Sequence, residues 1–181
     1  MKQHHVFSFL QRMGKSFMLP IAVLPVAGIF LGVGSSLTNE TTIAALHLES
    51  VLGQGTFLYC VLILLKQVGK ILFDNLPLIF AVSIALGMSK RRKEVAALAA
   101  IIAFFVMHAT INALLCLDGS IVNGVVSGQA LDGSITWVCG MLSLEMGVFG
   151  GIIVGLGVSY LHNRFYQIQL PNVISFYEGE R

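Results

Sequence analysis

Charge is what this chain has least of. Only 11% of its 181 residues are Asp, Glu, Lys or Arg, against roughly a quarter in soluble domains. A water-soluble fold of this size leaves much of its surface exposed, and so few charges cannot cover it. The net charge is +2, with no basic face interleaved with aromatics, which excludes a nucleic-acid module. Cys60, Cys116 and Cys139 are the chain's cysteines. None forms a Cys-x-x-Cys pair, so neither a disulfide scaffold nor a zinc or redox pair is expected. Walker A, His-Glu-x-x-His and Gly-x-Ser-x-Gly sequences are missing, and with them the P-loop, zinc-protease and hydrolase chemistries those motifs carry. No metal and no cofactor is expected. What is present is apolar: hydrophobic residues make up 56% and the mean hydropathy is +0.84. The chain reads as an integral membrane protein.

The apolar runs fix a first topology. Phe17–Leu37 carries no charge and gives roughly 30 Å of helix, enough to span. It exceeds a usual signal-peptide core, so it reads as an uncleaved span, with Pro20 and Pro25 satisfied by neighbouring groups. Before it, Val6, Leu10, Met13 and Phe17 share a helical face. This suits an amphipathic helix over residues 1–16 lying in the membrane interface; a frayed polar tail is the alternative. Further spans are expected at about Ile71–Ser89, Glu94–Leu117 and Leu142–Leu161, with Phe57–Lys70 as an interfacial or re-entrant helix. Lys90-Arg91-Arg92-Lys93 is the densest basic cluster and lies in a short loop, so it should face the cytoplasm. With the amino terminus inside as well, the alternation puts every basic residue except Lys66 and Lys70 on the cytoplasmic side, including the tail 162–181. The expectation is an all-α polytopic membrane protein of about four spans plus interfacial or re-entrant helices, with both termini cytoplasmic.

The outer segment Asp118–Thr136 contains Asp-Gly-Ser-Ile twice, from Asp118 and from Asp132. These are turn signals, and they lack the spacing of an EF-hand loop.

Within the spans, His108 and Asn112 are four residues apart and share one helical face. Polar groups at membrane depth are costly and often functional, so these two are candidates for contact with a substrate or a proton. Helix-to-helix bonding is the competing role. Asp74 and Asn75 precede Pro77, either beside a water-filled cavity or capping the helix that Pro77 opens. Gly147, Gly151 and Gly155 form one stripe, and Gly28 and Gly32 a shorter copy. Small residues at this spacing let helix backbones approach closely in lipid, within a chain or across a dimer.

Three blocks in order carry a resemblance. Gln11–Leu37 reads QRMGKSFMLPIAVLPVAGIFLGVGSSL, and Asn75–Asn112 reads NLPLIFAVSIALGMSKRRKEVAALAAIIAFFVMHATIN. Gly147–Arg181 reads GVFGGIIVGLGVSYLHNRFYQIQLPNVISFYEGER. Together they resemble the membrane domain, enzyme IIC, of the bacterial sugar phosphotransferase system in its glucose/maltose branch. The resemblance implies sugar uptake coupled to phosphorylation in the bacterial cytoplasmic membrane. Its implied partners are membrane lipid, a second copy in a homodimer, IIB and IIA phosphoryl-carrier domains, and a sugar. His108, Asn112 and Asn75 are then the candidate substrate-binding residues. Where the family typically continues with a glycine-glycine-basic-Arg turn, Phe176-Tyr177 is followed here by Glu178-Gly179-Glu180-Arg181. The family's sugar-contacting histidine, its Gly-Thr-x-Glu-Pro motif and the IIB cysteine have no counterpart in these residues. The expectation is therefore an amino-terminal half that supplies scaffold and dimer contacts and has no catalytic residue of its own. A non-catalytic membrane dimerisation module is the alternative.

Overall fold

A computed structural model of the chain describes residues 2–53, 55–127 and 133–166. Its helices are α1 (Lys2–Ser16), α2 (Met18–Leu37), α3 (Glu40–Ala45), α4 (Glu49–Leu52), α5 (Phe57–Asp74), α6 (Leu76–Met88), α7 (Lys93–Leu117) and α8 (Gly147–Phe165). Between α7 and α8 lie two antiparallel hairpins. One pairs β1 (Ile121–Val122) with β2 (Val125–Val126), and the other pairs β3 (Ile135–Val138) with β4 (Met141–Leu144). The fold is mostly helical, as the all-α expectation has it, with the two short hairpins as its non-helical addition.

Local chemistry explains the breaks. Thr38 ends α2 by donating both its hydroxyl and its N–H to the Gly34 carbonyl. Asn39 then opens α3, its side chain accepting from the Thr41 N–H at 3.0 Å. The expected span at Ile71–Ser89 is instead the end of α5 and the whole of α6, with the boundary at Asn75 and a bend of 54°. Proline cannot continue the helical ladder, and Pro77 sits in the first turn of α6. The expected span at Leu142–Leu161 begins as β4. Cys139 and Gly140 both have positive φ, at 49° and 85°, the geometry a two-residue hairpin turn requires. Helix resumes only at Gly147.

By length and apolar content, Phe7–Leu37 and Lys93–Leu117 are able to cross a membrane. The bent pair Phe57–Asp74 with Leu76–Met88 makes a third span if it crosses as one unit. These two or three candidates are fewer than the four expected. With the bent pair counted as a span, the one left out is α8, whose glycines and terminal His162-Asn163-Arg164 dilute its apolar content.

The path through the fold can be followed residue by residue. Gly34 lies against Lys66, and Gly69 against Ala27 and Leu31. Further on, Ser83 and Gly87 of α6 meet Ser16 at the end of α1. As α2 is followed backwards, α5 and then α6 advance, so the bent pair runs antiparallel to α2. Gly151 lies against Pro77, Gly155 against Ala81 and Ile84, and Asn163 against Met88 and Lys90. α8 therefore runs parallel to α6. Phe104 of α7 packs with Ala81, Val138 and Val154, while Ala96 and Ala100 close on Ala85. The main core is the α6–α7–α8 bundle, and α2–α5 is a two-helix seam attached to it.

The amphipathic amino-terminal segment is helical, but its face is shared out. Met13 and Phe17 pack onto Phe80, Ile84 and Met88, while Leu10 is exposed. Asp118 caps the end of α7 and is followed by Gly119 at φ 80°, so the first Asp-Gly is a helix stop. Asp132 and the tail beyond Tyr166 lie outside the described residues.

Candidate functional site

Several polar side chains converge beside the break between α5 and α6. The β3–β4 hairpin folds back against α7, with Thr136 opposite Ser143 and Trp137 opposite Leu142. Ser143 is fully buried, and its hydroxyl lies 2.7 Å from Nδ1 of the buried His108. The His108 and Phe104 rings also meet in a T-shaped contact, with centroids 4.5 Å apart. One turn on, the Asn112 amide donates to the Leu142 carbonyl at 2.6 Å. His108 and Asn112 thus hold the same strand to the same helix face.

Glu145 follows the hairpin. Its carboxylate accepts from the Thr136 hydroxyl and, at 3.1 Å, from the N–H of Gly147. A carboxylate at the N-terminal end of α8 is stabilised by that helix's free donors.

Asn75 does not cap α6. Its side chain turns back and donates to the Ile71 carbonyl at 2.8 Å, closing α5, while its oxygen accepts a 3.5 Å contact from the Cys139 thiol. Burial pushes the Cys139 thiol up from its ordinary value. Asp74, one residue earlier, pairs with Lys70.

These elements enclose a cavity of about 340 Å³ lined by Asp74, Pro77, His108, Thr136, Trp137 and Glu145, among others. Its size falls in the range of small-molecule sites. Two carboxylates, an imidazole and a hydroxyl supply hydrogen-bonding partners, and Trp137 supplies a flat apolar face. Of the three predicted binding residues, only His108 borders this space. Asn75 and Asn112 spend their amides on backbone carbonyls nearby. Among the described residues, no three His, Cys, Asp or Glu side chains converge to hold a metal.

The hairpin residues Thr136, Trp137 and Ser143 escaped sequence reasoning. A usable signal was present: ITWV and MLSL flank a two-residue Cys-Gly step.

The glycines divide. A Cβ at Gly151 would stand 1.9 Å from the Pro77 carbonyl oxygen, and one at Gly155 2.7 Å from that of Ala81. Both positions pack α8 onto α6 within the chain. Gly147 instead starts α8 at φ 51°. Gly28 and Gly32 face open space, because the α2–α5 seam uses Ala27, Leu31 and Gly34, one helical face around. Gly34, Gly69 and Gly87, which the spacing rule passed over, make close contacts of their own.

At the opposite end of α8, Asn163 accepts from the Lys90 N–H at 2.9 Å and donates to the Met88 carbonyl at 3.0 Å. His162 Nε2 lies 2.8 Å from the Arg91 carbonyl. The His-Asn pair therefore clamps the basic turn between α6 and α7.

Residues 14–181 match the family described as Phosphotransferase system, EIIC. The chain is 38% identical over 176 residues to the glucose-specific EIICBA component of the PTS system of Staphylococcus saprophyticus subsp. saprophyticus. That alignment covers 97% of this chain and 24% of the relative. It is also 38% identical over 181 residues to the glucoside-specific EIICBA component of the PTS system of Staphylococcus carnosus (strain TM300), covering 97% of this chain and 25% of that relative. The chain spans about a quarter of the length of these curated relatives.

Proposed function

The chain belongs to the phosphotransferase-system EIIC family, and from that premise we propose that it is the amino-terminal membrane portion of a glucose- or glucoside-type sugar permease. The observation that carries this reading is the match over residues 14–181, joined by two relatives that each cover 97% of the chain. In this reading it works in the bacterial cytoplasmic membrane, in a homodimer, with IIB and IIA units supplying the phosphoryl group for the entering sugar. Both termini and the Lys90–Lys93 turn face the cytoplasm. α2 leads outward, the bent α5–α6 pair returns, α7 leads outward and α8 returns as a fourth crossing. The antiparallel run of α5–α6 along α2 and the parallel run of α8 along α6 support that order. α8 is less apolar than a lone span, but α6 and α7 shield one side of it, and polar content is tolerated where protein rather than lipid is the neighbour.

The cavity beside His108 is then part of the sugar path, with Asp74, Thr136 and Glu145 as hydroxyl partners. Asn75 and Asn112 position its walls. A second reading, a non-catalytic scaffold, is favoured by the same two amides, since both are already satisfied by backbone.

Trp137 is the chain's single tryptophan and borders the cavity, so its fluorescence reports occupancy. The purified chain in liposomes should show a saturable change with glucose, maltose or a glucoside, abolished in His108→Ala. Phosphoenolpyruvate and the soluble carriers, added to the same liposomes, should yield no sugar phosphate, because none of the three cysteines has the context of a IIB phosphorylation site. No saturable change with any sugar would favour the scaffold. Sugar phosphate above protein-free liposomes would overturn the absence of catalysis in this portion.

A further inference from the structure

The basic turn has a second feature, independent of any sugar. The last turn of α1 lies directly on the last turn of α6. A Cβ at Gly87 would stand 1.9 Å from the Ser16 hydroxyl oxygen, and Ser83 donates to the Ser16 carbonyl at 2.6 Å. That crossing brings Arg12 and Lys15 of α1 to the same cleft, about 650 Å³ in volume, as Lys90 and Lys93. No carboxylate lines the cleft among the described residues. Ser89 also lines it. That residue is 4% exposed, and its hydroxyl has no hydrogen-bond partner. A buried hydroxyl left unbonded costs about 1–3 kcal/mol, and four cations with no carboxylate among the described lining residues add mutual repulsion. Both costs are relieved by one kind of ligand, a compact anion with several acceptor oxygens.

Position narrows the choice. Arg12 and Lys15 stand just before the apolar run of α2, and Lys90 and Lys93 just before that of α7. Both are candidate membrane-crossing segments, so the cleft sits at the depth of lipid headgroups on whichever side it faces. Basic pockets between spans at that depth bind anionic headgroups. A neighbouring cleft of about 690 Å³ shares Arg12 and Lys90 and is lined by Phe9, Leu156 and Tyr160. It offers apolar space next to the charged slot, as an acyl chain beside its headgroup needs.

We propose that Arg12, Lys15, Lys90, Lys93 and the Ser89 hydroxyl form a binding site for a phosphate group, carried by an anionic phospholipid. Arginine and lysine donate to the phosphate oxygens and the serine hydroxyl completes the shell. The bound headgroup ties α1 to the α6–α7 turn.

The test is native mass spectrometry of the full chain, released from micelles doped with phosphatidylglycerol or phosphatidylcholine. Phosphatidylglycerol should be retained preferentially. Lys90→Gln with Lys93→Gln should weaken retention by about fivefold per charge. Ser89→Ala, which changes no charge and little volume, should weaken it severalfold. Lys66→Gln with Lys70→Gln removes the same charge elsewhere and should leave retention unchanged. In a second arm, inorganic phosphate is added against chloride at matched ionic strength. Unchanged phosphatidylglycerol retention confirms a lipid ligand, whereas displacement keeps the phosphate site but overturns the lipid as its occupant. Equal retention of both lipids, equal losses in the Lys66/Lys70 control, or full retention by Ser89→Ala would each overturn the site.

Discussion

The α6–α7–α8 bundle and the α2–α5 seam use the same apolar residues, yet they close to different degrees. In the bundle Ala81, Ile84, Ala85, Ala96, Ala100 and Phe104 are wholly buried. In the seam burial is limited to Pro20, Ala27, Gly34, Leu62 and Gly69, with Leu62 covered by Ile43 and Leu52, while Ile21, Ile29, Val33, Leu64 and Val68 stand exposed. The cause is geometric. Each bundle helix has two or more partners, whereas α2 and α5 mainly have each other, so much of each faces outward. In a membrane that outward face meets lipid, which matches it in polarity and gives no hydrophobic drive to cover it. Close backbone approach, rather than burial of oily surface, therefore distinguishes packed faces from free ones.

Steric blocks placed in the two regions break this comparison most directly. Gly151→Leu should have the largest effect, because even a Cβ overlaps the Pro77 carbonyl at the bend that also shapes the cavity. Overpacking ordinarily costs about 1–3 kcal/mol; here a rigid backbone atom is in the way, so the bundle should fail to assemble. The measurement is monodispersity and thermal unfolding in detergent, and a parent-like melting curve would disprove the α6–α8 contact. Gly69→Leu should do less. It meets the Leu31 backbone nitrogen at 2.5 Å and the Ala27 carbonyl oxygen at 2.8 Å, but it lies in the seam. Protease sensitivity should rise in α2 and α5 while the α6–α8 contact survives. If both regions melt together in Gly69→Leu, the two are one cooperative unit.

A smaller effect separates the glue and ligand roles of His108. His108→Ala leaves the Ser143 hydroxyl buried without its partner, at a cost of about 1–3 kcal/mol. Ser143→Ala alone leaves the imidazole in the same position. If the bond is the main role, a double-mutant cycle in thermal stability should show coupling, the double mutant being less destabilised than the sum of the two. Additive losses would show that His108 serves the cavity instead.

Part of this was legible in the sequence. The apolar runs of α2 and α7 are long, uncharged and unbroken, so hydropathy alone found them. His108 and Asn112 were placed on one face by helical spacing, and the structure sets both against β4. Spacing could not reveal that the partner is a hairpin, because Leu142–Leu161 looks continuous when only apolar content is weighed. The hairpin's evidence is short-range alternation around Cys139-Gly140, a two-residue signal inside a long apolar stretch. Asn75 illustrates a different limit. Its type suits a helix boundary in either direction, and only coordinates show that it closes α5 and leaves α6 uncapped. Glycine spacing was half informative for a similar reason. A small-residue stripe marks a face able to pack closely, while the partner that occupies it is set by topology.

Gly28 and Gly32 sharpen that last point and carry the smallest expected effect. Neither would bring a Cβ within 4 Å of any neighbour, so Gly28→Leu and Gly32→Leu should lower the stability of the isolated chain by no more than about 0.5 kcal/mol. Removing a helix-interior glycine adds a small gain in helix propensity, about 1 kcal/mol for Gly→Ala in soluble peptides. Any loss of stability would therefore contradict an open face. The same substitutions become diagnostic when association is measured. If a second copy packs along this stripe, crosslinked dimer should fall in both mutants while the melting temperature holds, because leucine at either position pushes the partner backbone away. If dimer yield and melting temperature both hold, the stripe faces lipid, and the homodimer contact must be sought on another exposed face. Ile29 and Val33, which flank the stripe and are exposed, provide the control. Shortening them to alanine leaves the glycine groove intact, so a dimer built on close backbone approach should survive that change and fail only with Gly28→Leu or Gly32→Leu.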